Sequence, residues 1–216
     1  MDDIEAPHEN VATDAGALLR SAPGAGAELR LEDGLLGRLS RPDIRLAGQV
    51  NDSMHEKFQG QLAALSGAGP FVIAMTTLGG DPEVARAMAA DLRLLRAAED
   101  ARFIFLGKSA VYSAGVTFMA GFPRAERWLE RDTRLMIHER KLEKNVHFSG
   151  PLEGCLNMAL ALVHEIENGV RIEREGFEAL ISESPLTLDE VIRKAPQNWY
   201  LDATEALELK LVAGIV

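Results

Sequence analysis

Hydrophobic residues follow two periods along this chain, and the shorter period and the apolar runs predict the strands of a sheet. Residues 43–50 alternate between polar and apolar side chains, which is typical of a strand with one buried face. Residues 71–76 are almost continuously apolar, as expected for a strand buried on both faces of a parallel sheet. Further strands are predicted over residues 102–107, 134–138 and 211–216.

Apolar residues that recur every three or four positions predict helices between these strands. Asp81 and Pro82 mark one helix start, because aspartate accepts hydrogen bonds at the N-cap and proline suits the first helical position. A long helix is predicted over residues 152–181. Shorter helices are predicted over residues 52–65, 114–121 and 203–209, with a loop of small residues between Gly107 and the second of them.

The alternation of strands and helices predicts βαβ units and a mostly parallel sheet. The strands are too few and too irregularly spaced for a TIM barrel, and no repeat of fixed period is present. We therefore predict an α/β fold, with the main domain over residues 43–216.

Residues 1–42 are predicted to form an acidic N-terminal appendage that is partly disordered. The first 40 residues contain eight acidic residues against three arginines, which is half of the net charge of the chain. A loop is expected at residues 22–27, and a short helix around Leu35, Leu36 and Leu39.

Composition narrows the functional classes. The chain has 216 residues, of which 47% are hydrophobic, enough for one domain with a sizeable core. The net charge of −10 argues against a DNA or RNA binder, because phosphate contacts need clustered lysine and arginine. No apolar run reaches the roughly 20 residues that span a bilayer, and the acidic start is unlike a secretory signal. With Cys155 as the lone cysteine, we expect a soluble cytoplasmic protein.

Two adjacent glycines, Gly79 and Gly80, lie between a predicted buried strand and the helix that begins after Asp81. Glycine allows backbone N–H groups to face outward without obstruction by a Cβ, beside the positive end of the helix dipole. Such a turn can bind an anion or an oxyanion. The same pair is equally consistent with a tight turn that has no chemical role.

Ser113 is placed at the start of the next predicted helix, at the carboxyl edge of the sheet where the sites of α/β proteins lie. The backbone N–H of Ala114 is a second candidate oxyanion donor, beside that of Gly79. Taken alone, Ser113 is more simply interpreted as an N-cap. The segment also lacks the G-x-S-x-G nucleophile elbow of hydrolases, because Val111 occupies the first glycine position.

His138 directly follows a predicted buried strand, unlike the other four histidines, and is a candidate general base at the same sheet edge. A surface or core histidine is the simpler interpretation when it is considered alone. Two His-Glu pairs begin like H-E-x-x-H, but Leu142 and Asn168 occupy the second histidine positions, so no metal site is predicted. No P-loop and no G-x-G-x-x-G is present, and we predict no cofactor.

Together these segments resemble the proteolytic subunits of Clp proteases. Residues 77–81, Thr-Leu-Gly-Gly-Asp, are similar to the Ser-Pro-Gly-Gly-Ser segment of that family. Residues 112–115, Tyr-Ser-Ala-Gly, resemble the Ala-Ser-Met-Gly around its nucleophile, and residues 134–138, Arg-Leu-Met-Ile-His, resemble its Arg-Val-Met-Ile-His. Residues 44–52, 201–206 and 211–215 also match family segments, so the resemblance covers about residues 43–216.

The resemblance implies the Clp-protease/crotonase superfold, with repeated β-β-α units and a long protruding handle helix. It also implies a serine endopeptidase in which Ser113 is the nucleophile and His138 the general base, with Gly79 and Ala114 forming the oxyanion hole. The expected substrates are unfolded proteins or peptides. The expected partners are further copies of the chain in a ring-shaped homo-oligomer and an AAA+ unfoldase.

The third member of the implied triad departs from the family, because Asn198 occupies its aspartate position. An amide can orient the imidazole but cannot stabilise the imidazolium by charge, so we predict a slow or conditionally active peptidase. Asp202 lies four residues further on and is an alternative partner. Other departures are Gln197, in place of an arginine, and residues 140–145, in place of a glycine-rich handle strand.

Three alternatives stay open. An inactive structural subunit on the same fold would explain Asn198. A crotonase-type acyl-CoA enzyme would share the fold and the oxyanion hole, but the acid nearest to the glycine pair is Asp81 rather than a glutamate in the crotonase position. A Ser–Lys dyad would use Lys108, which lies five residues before Ser113.

Overall fold

A computed structural model describes residues 34–67 and 69–216 of the chain. Residues 38–216 group into one compact unit. Residues 34–39 are helical, as the leucine pattern predicts, and Leu39 is buried. The disorder predicted near the N-terminus and the loop predicted at residues 22–27 lie outside the described residues.

A parallel sheet forms the centre of this unit, built from the apolar runs of the sequence. Its main strands are β1 (Ile44–Ala47), β2 (Phe71–Thr77), β3 (Phe103–Tyr112), β4 (Arg127–Leu129) and β7 (Gly214–Ile215). They lie side by side in this order, and all neighbours are parallel.

Two further strands extend the sheet beside the carboxyl-terminal end of β3. β5 (Arg134–Ile137) pairs in parallel with residues 110–112 of β3, and β6 (Trp199–Asp202) pairs antiparallel with β5. β3 therefore has one neighbour, β4, along residues 105–107 and another, β5, at its carboxyl end. This arrangement ends β3 and β5 side by side at one edge of the sheet.

Helices follow most strands, and four of the six described α-helices after β1 begin at a side-chain cap. They are α1 (Asp52–Ala63), α2 (Pro82–Glu99), α3 (Ala114–Ala120), α4 (Leu152–Ile181), α5 (Leu188–Lys194) and α6 (Ala203–Glu208). The predicted start at Asp81 is confirmed, because its carboxylate accepts from the N–H of Glu83 and Pro82 is the first helical residue. Asn51 caps α1 in the same way.

The loop predicted between residue 107 and Ser113 is wrong, because β3 continues through this segment to Tyr112. A bulge accounts for the error: the register with β2 shifts between Met75 and Thr77, and Ser109 has a positive φ of 61°. The hydroxyl of Thr76 donates to the carbonyl of Lys108 at 2.8 Å and so satisfies the bulged backbone. The small residues after Gly107, which suggested a loop, therefore belong to a bent part of β3.

Other differences are small in extent. The strand predicted over residues 211–216 is reduced to β7, because Leu211 and Val212 are buried by packing rather than by strand pairing. β4, β6 and α5 were not predicted, since three to seven residues carry too little periodicity for recognition.

The core lies between the sheet and the helices α1, α2 and α3. Four phenylalanine rings meet there with centroids 5.3–6.2 Å apart, mostly edge to face: Phe58, Phe105, Phe118 and Phe122. This packing fixes α3 against the carboxyl ends of the strands.

α4 is buried only near its C-terminal end, through Phe177, Leu180 and Ile181. Its remaining length carries large apolar side chains that are about half exposed or more, namely Leu152, Leu156, Met158, Leu160, Val163, Ile166 and Val170. None of the helices in the described part of the chain combines the length and apolar character that a membrane span requires.

Candidate active site

Ser113 connects β3 to α3 in a backbone conformation that residues other than glycine rarely adopt. Its φ is 54° and its ψ is −113°. A positive φ in a residue other than glycine is strained, and such strain is concentrated at functional sites. The N–H of Ser113 donates to the carbonyl of Met136 in β5 at 2.8 Å, and its carbonyl accepts from Val116 and Thr117 in α3. These bonds hold the strained residue between two strands and a helix.

The side chain of Ser113 does not cap α3. It makes no hydrogen bond to the first turn of that helix, so the interpretation as an N-cap serine is wrong. Its Oγ lies instead 2.7 Å from Nε2 of His138, within hydrogen-bond distance. The two candidate side chains are therefore in direct contact.

Strand register explains how residues 25 positions apart meet. Tyr112 of β3 pairs with Met136 of β5 in parallel, so the residues that leave the two strands lie at the same edge of the sheet. His138 is the first residue after β5 and Ser113 the first after β3. Both side chains are partly buried, which limits the access of water to the pair.

The second imidazole nitrogen of His138 lacks a partner. Nδ1 is buried and has no hydrogen bond to any residue in the described ranges. A buried N–H without an acceptor costs about 1–3 kcal/mol. An acceptor for Nδ1–H would fix the tautomer in which Nε2 is unprotonated. Only in that tautomer can Nε2 accept the proton of Ser113.

Asn198 follows the β5–β6 register to a position opposite His138, but no hydrogen bond joins the two described residues. Trp199 pairs with Ile137, so the next residues along the two antiparallel strands are Asn198 and His138. Asn198 leaves the extended conformation, with φ 54° and ψ 80°, and it is exposed. The left-handed φ is itself a structural reason for asparagine, which tolerates this region well. The triad role of Asn198 thus stays a prediction.

Two alternative partners are excluded by position. Asp202 lies four residues beyond Asn198, where it caps α6 through the N–H of Glu205 at 2.8 Å and pairs with Arg134 at 3.3 Å. The suggestion that Asp202 replaces the triad acid is therefore wrong. Lys108 is exposed in the β3 bulge, and the hydroxyl of Ser113 is already bonded to His138, so the geometry does not support a Ser–Lys dyad.

The glycine loop differs from the prediction at Gly79. Its N–H donates to Oγ1 of Thr77 at 3.0 Å and is not free to bind an oxyanion. Gly79 instead allows close packing, because a Cβ at this position would lie 2.9 Å from the Cβ of Ser113. Its φ of 111° also favours glycine.

Gly80 lines the same cleft as Ser113 and His138. It is held in a parallel bridge to Val50, in which Val50 donates to the carbonyl of Gly79 at 3.0 Å and Asp81 donates to the carbonyl of Val50 at 2.8 Å. Within the described residues the N–H of Gly80 has no acceptor. The N–H of Ala114 is likewise unbonded at the first position of α3, as helix geometry dictates.

The cleft beside Ser113 has a volume of about 600 Å³. Its inner walls are mostly apolar, and α2, α3, the residues after His138 and the C-terminal part of α4 contribute to them. Apolar residues that line it include Leu78, Ala89, Val116, Ile137, Phe177 and Leu180. The cleft can therefore accept an apolar side chain next to the nucleophile.

The rim of the cleft carries an ion-pair network that joins three elements. Glu83 at the start of α2 accepts from Arg140 and Arg86, each at 2.7 Å. The backbone N–H of Arg140 bonds to the carboxylate of Glu173 on α4. Partial burial alone would raise the pKa of Glu83, but the hydrogen bonds and charges of Arg140 and Arg86 lower it overall. The chain after His138 is thereby tied to both helices.

Sequence reasoning missed two residues at this site. Gly80 was named only as part of the glycine pair. The choice between the N–H of Gly79 and that of Gly80 as oxyanion donor depends on which of them is already hydrogen-bonded. Thr77 was quoted only as the first residue of a matching segment and was given no role, because a threonine at the end of a buried strand carries no signal of its own. No group of three or more His, Cys, Asp or Glu side chains in the described ranges is placed to hold a metal ion.

Comparisons with known proteins agree with the resemblance noted in the sequence. The chain is 26% identical over 183 residues to ATP-dependent Clp protease proteolytic subunit 2 of Treponema pallidum (strain Nichols), covering 82% of this chain and 83% of that protein. No protein-family model matches the chain.

A solved structure has the same fold. An Asn-to-Asp mutant of ClpP1 from Listeria monocytogenes superposes with a TM-score of 0.63 at 18% identity, covering 86% of this chain and 95% of that one. The predicted superfold is therefore confirmed, and so is the similarity to Clp protease proteolytic subunits.

Proposed function

We propose that this chain, a ClpP-like protein by sequence similarity and fold, is a serine endopeptidase subunit that hydrolyses peptide bonds of unfolded proteins or peptides. One observation carries this proposal: Oγ of the strained Ser113 lies 2.7 Å from Nε2 of His138. A hydroxyl in contact with an imidazole at the carboxyl edge of a sheet is the arrangement that nucleophilic acyl transfer requires.

In the proposed reaction His138 accepts the proton of the Ser113 hydroxyl as Oγ attacks the peptide carbonyl. His138 then donates this proton to the leaving amine, and an acyl-enzyme remains on Oγ. Water, activated by the same histidine, hydrolyses the ester and releases the second product. The cycle uses only groups of the chain and water.

The oxyanion that develops on the carbonyl oxygen needs donors that are free in the resting protein. The unbonded N–H groups of Gly80 and Ala114 meet this requirement, whereas that of Gly79 is engaged by Thr77. We therefore assign the oxyanion hole to Gly80 and Ala114. Gly79 contributes by allowing the loop to pack against Ser113.

Asn198 is the proposed third member of the site. Its position opposite His138, one residue beyond the last pair of the β5–β6 register, supports this role. An amide acceptor would fix the productive tautomer without adding negative charge. Low activity is the expected consequence.

The apolar surface of α4 supports assembly with further copies of the chain. Half-exposed leucine and valine side chains along residues 152–170 are unfavourable in water unless a partner covers them. A ring-shaped homo-oligomer and docking of an AAA+ unfoldase are our proposals from the resemblance. A cytoplasmic location is likewise proposed and is consistent with the single cysteine, Cys155.

Labelling of the purified protein with a fluorophosphonate probe tests the proposal. We expect covalent modification of the wild type on Ser113, and loss of labelling in both Ser113→Ala and His138→Ala. His164→Ala is a matched control, because His164 is exposed on α4, away from the cleft, and its loss should leave labelling unchanged. Absence of labelling in the assembled protein between pH 6 and 9 would refute the peptidase proposal.

An inactive structural subunit is the second candidate. Nδ1 of His138 has no partner among the described residues, which favours this candidate because a ring without an acceptor there is not held in the base tautomer. This candidate predicts an intact oligomer that is neither labelled nor able to hydrolyse a peptide.

A further inference from the structure

The buried side chain of Thr77 contacts both elements that carry the proposed oxyanion donors, the glycine loop and the start of α3. Thr77 is the last residue of β2 and is 2% exposed. Its hydroxyl contacts the glycine loop, and its methyl group contacts the first turn of α3. The two N–H groups assigned to the oxyanion belong to these same two elements.

The hydroxyl of Thr77 makes a closed pair of hydrogen bonds with one residue. Oγ1 accepts the N–H of Gly79 at 3.0 Å and donates to the carbonyl of Gly79 at 3.2 Å. Both polar groups of Gly79 are thereby satisfied inside the protein. Among the described residues, the next N–H in the chain, that of Gly80, has no acceptor, and Gly80 lines the cleft.

The methyl group of Thr77 lies under α3. A Cβ built on Gly115 would be 2.5 Å from Cγ2 of Thr77, so the two residues are in close contact. Gly115 follows Ala114, the second proposed donor. The distance between the glycine loop and the start of α3 is therefore set by one side chain that contacts both.

From these contacts we infer that Thr77 is a positioning residue for the oxyanion hole, an inference that rests on the proposed peptidase function. By binding Gly79, Thr77 selects Gly80 as the donor and holds it at a fixed distance from Ala114. Serine would keep the hydrogen bonds and lose the methyl contact. Valine would keep the shape and leave the N–H of Gly79 without its acceptor, while the carbonyl of Gly79 would still accept the N–H of Val50.

The chain provides a matched control in the preceding residue. The hydroxyl of Thr76 also donates to a backbone carbonyl, that of Lys108, at 2.8 Å, but this bond supports the β3 bulge and not the glycine loop. Thr76→Val therefore removes a hydrogen bond of the same kind from the same strand. It does not touch the proposed site.

The kinetic test compares Thr77→Val, Thr77→Ser and Thr76→Val on a short fluorogenic peptide. Loss of one oxyanion donor lowers kcat by about 10²–10³, so displacement of a donor in Thr77→Val should lower kcat by about tenfold or more, with KM within about twofold. We expect Thr77→Ser to retain kcat within about threefold and Thr76→Val to match the wild type. Equal kcat values for Thr77→Val and Thr76→Val would overturn the inference.

A second measurement does not depend on activity. In protein labelled with ¹⁵N-glycine, the amide of Gly79 should exchange with solvent more slowly than that of Gly80, and Thr77→Val should accelerate Gly79 specifically. Faster exchange at Gly79 than at Gly80 in the wild type would overturn the inference even if the enzyme is active. Failure of fluorophosphonate labelling with the expected exchange pattern would instead refute the peptidase function and leave the role of Thr77 in the loop supported.

Discussion

At the residue scale, the histidine side chain limits what this site can do. His138 contacts Ser113 through Nε2, but Nδ1 is buried without a partner in the described ranges. The catalytic potential of the pair depends on what occupies that second position. Continuation of the β5–β6 register places Asn198 opposite His138.

Asn198→Asp should raise the activity of the protein. A carboxylate beside Nδ1 would hold the base tautomer and stabilise the imidazolium, and the opposite change in trypsin lowers kcat by about 10⁴. Because Asn198 is exposed, we expect a smaller gain, at least about tenfold in kcat, measured by peptide hydrolysis at neutral pH.

Asn198→Ala is the control for this prediction, since it removes the amide and adds no charge. It should lower any residual activity of the wild type. If neither variant changes the rate of hydrolysis or of labelling, Asn198 has no part in the site and its left-handed backbone alone explains the residue.

At the scale of secondary-structure elements, a buried arginine determines how the helices meet at the cleft. Arg127, the first residue of β4, is 1% exposed, and its guanidinium donates to five backbone carbonyls. Burial lowers the pKa of Arg127 to about 10, so the side chain remains charged at neutral pH. The acceptors include the last turns of α3 and α4, whose negative dipole ends stabilise a cation.

Arg127→Met should destabilise the fold substantially. The carbonyls at the ends of α3 and α4 would lose their donors, and we expect a loss of about 3 kcal/mol or more in the free energy of unfolding, measured by denaturant titration. Arg131→Met is the matched control in the loop between β4 and β5, because Arg131 is exposed and its change should stay within about 0.5 kcal/mol. Similar unfolding curves for the two variants would contradict the capping role of Arg127.

At the scale of the whole molecule, α4 has more apolar surface than its own unit covers. The uncovered side chains recur at three- and four-residue spacing, as in Leu156, Leu160, Val163 and Val170, and form a stripe along one face of the helix. A stripe of this kind matches the requirement of helix-on-helix packing with another chain.

The double substitution Leu156→Lys and Leu160→Lys should therefore dissociate the oligomer. Two charges in an apolar contact are unfavourable unless they remain solvated. Sedimentation velocity should record a smaller species for this variant than for the wild type. Leu94→Lys, on the exposed face of α2, is the control that should leave the sedimentation coefficient unchanged. A monomeric wild type, or an unaltered double variant, would contradict the proposed interface.

The sequence by itself determined the elements with strong local signals. The apolar runs predicted β2 and the first part of β3, the periodic leucines predicted α4, and Asp81 with Pro82 predicted the start of α2. It also supplied the candidate pair, because Ser113 begins a predicted helix at the carboxyl edge of the sheet and His138 directly follows an apolar strand. These features depend on the period of neighbouring residues and on capping chemistry, which are local properties.

Only the tertiary structure decided which candidate atoms meet. The pairing of β3 with β5 brings Oγ of Ser113 to Nε2 of His138. The bulge that extends β3 is stabilised by the hydroxyls of Thr76 on β2 and of Thr133, the residue before β5. The choice between Gly79 and Gly80 depends on one hydroxyl of Thr77, and the exclusion of Asp202 depends on its cap to α6. Such outcomes come from hydrogen bonds and register between distant segments, which the local pattern of a sequence does not contain.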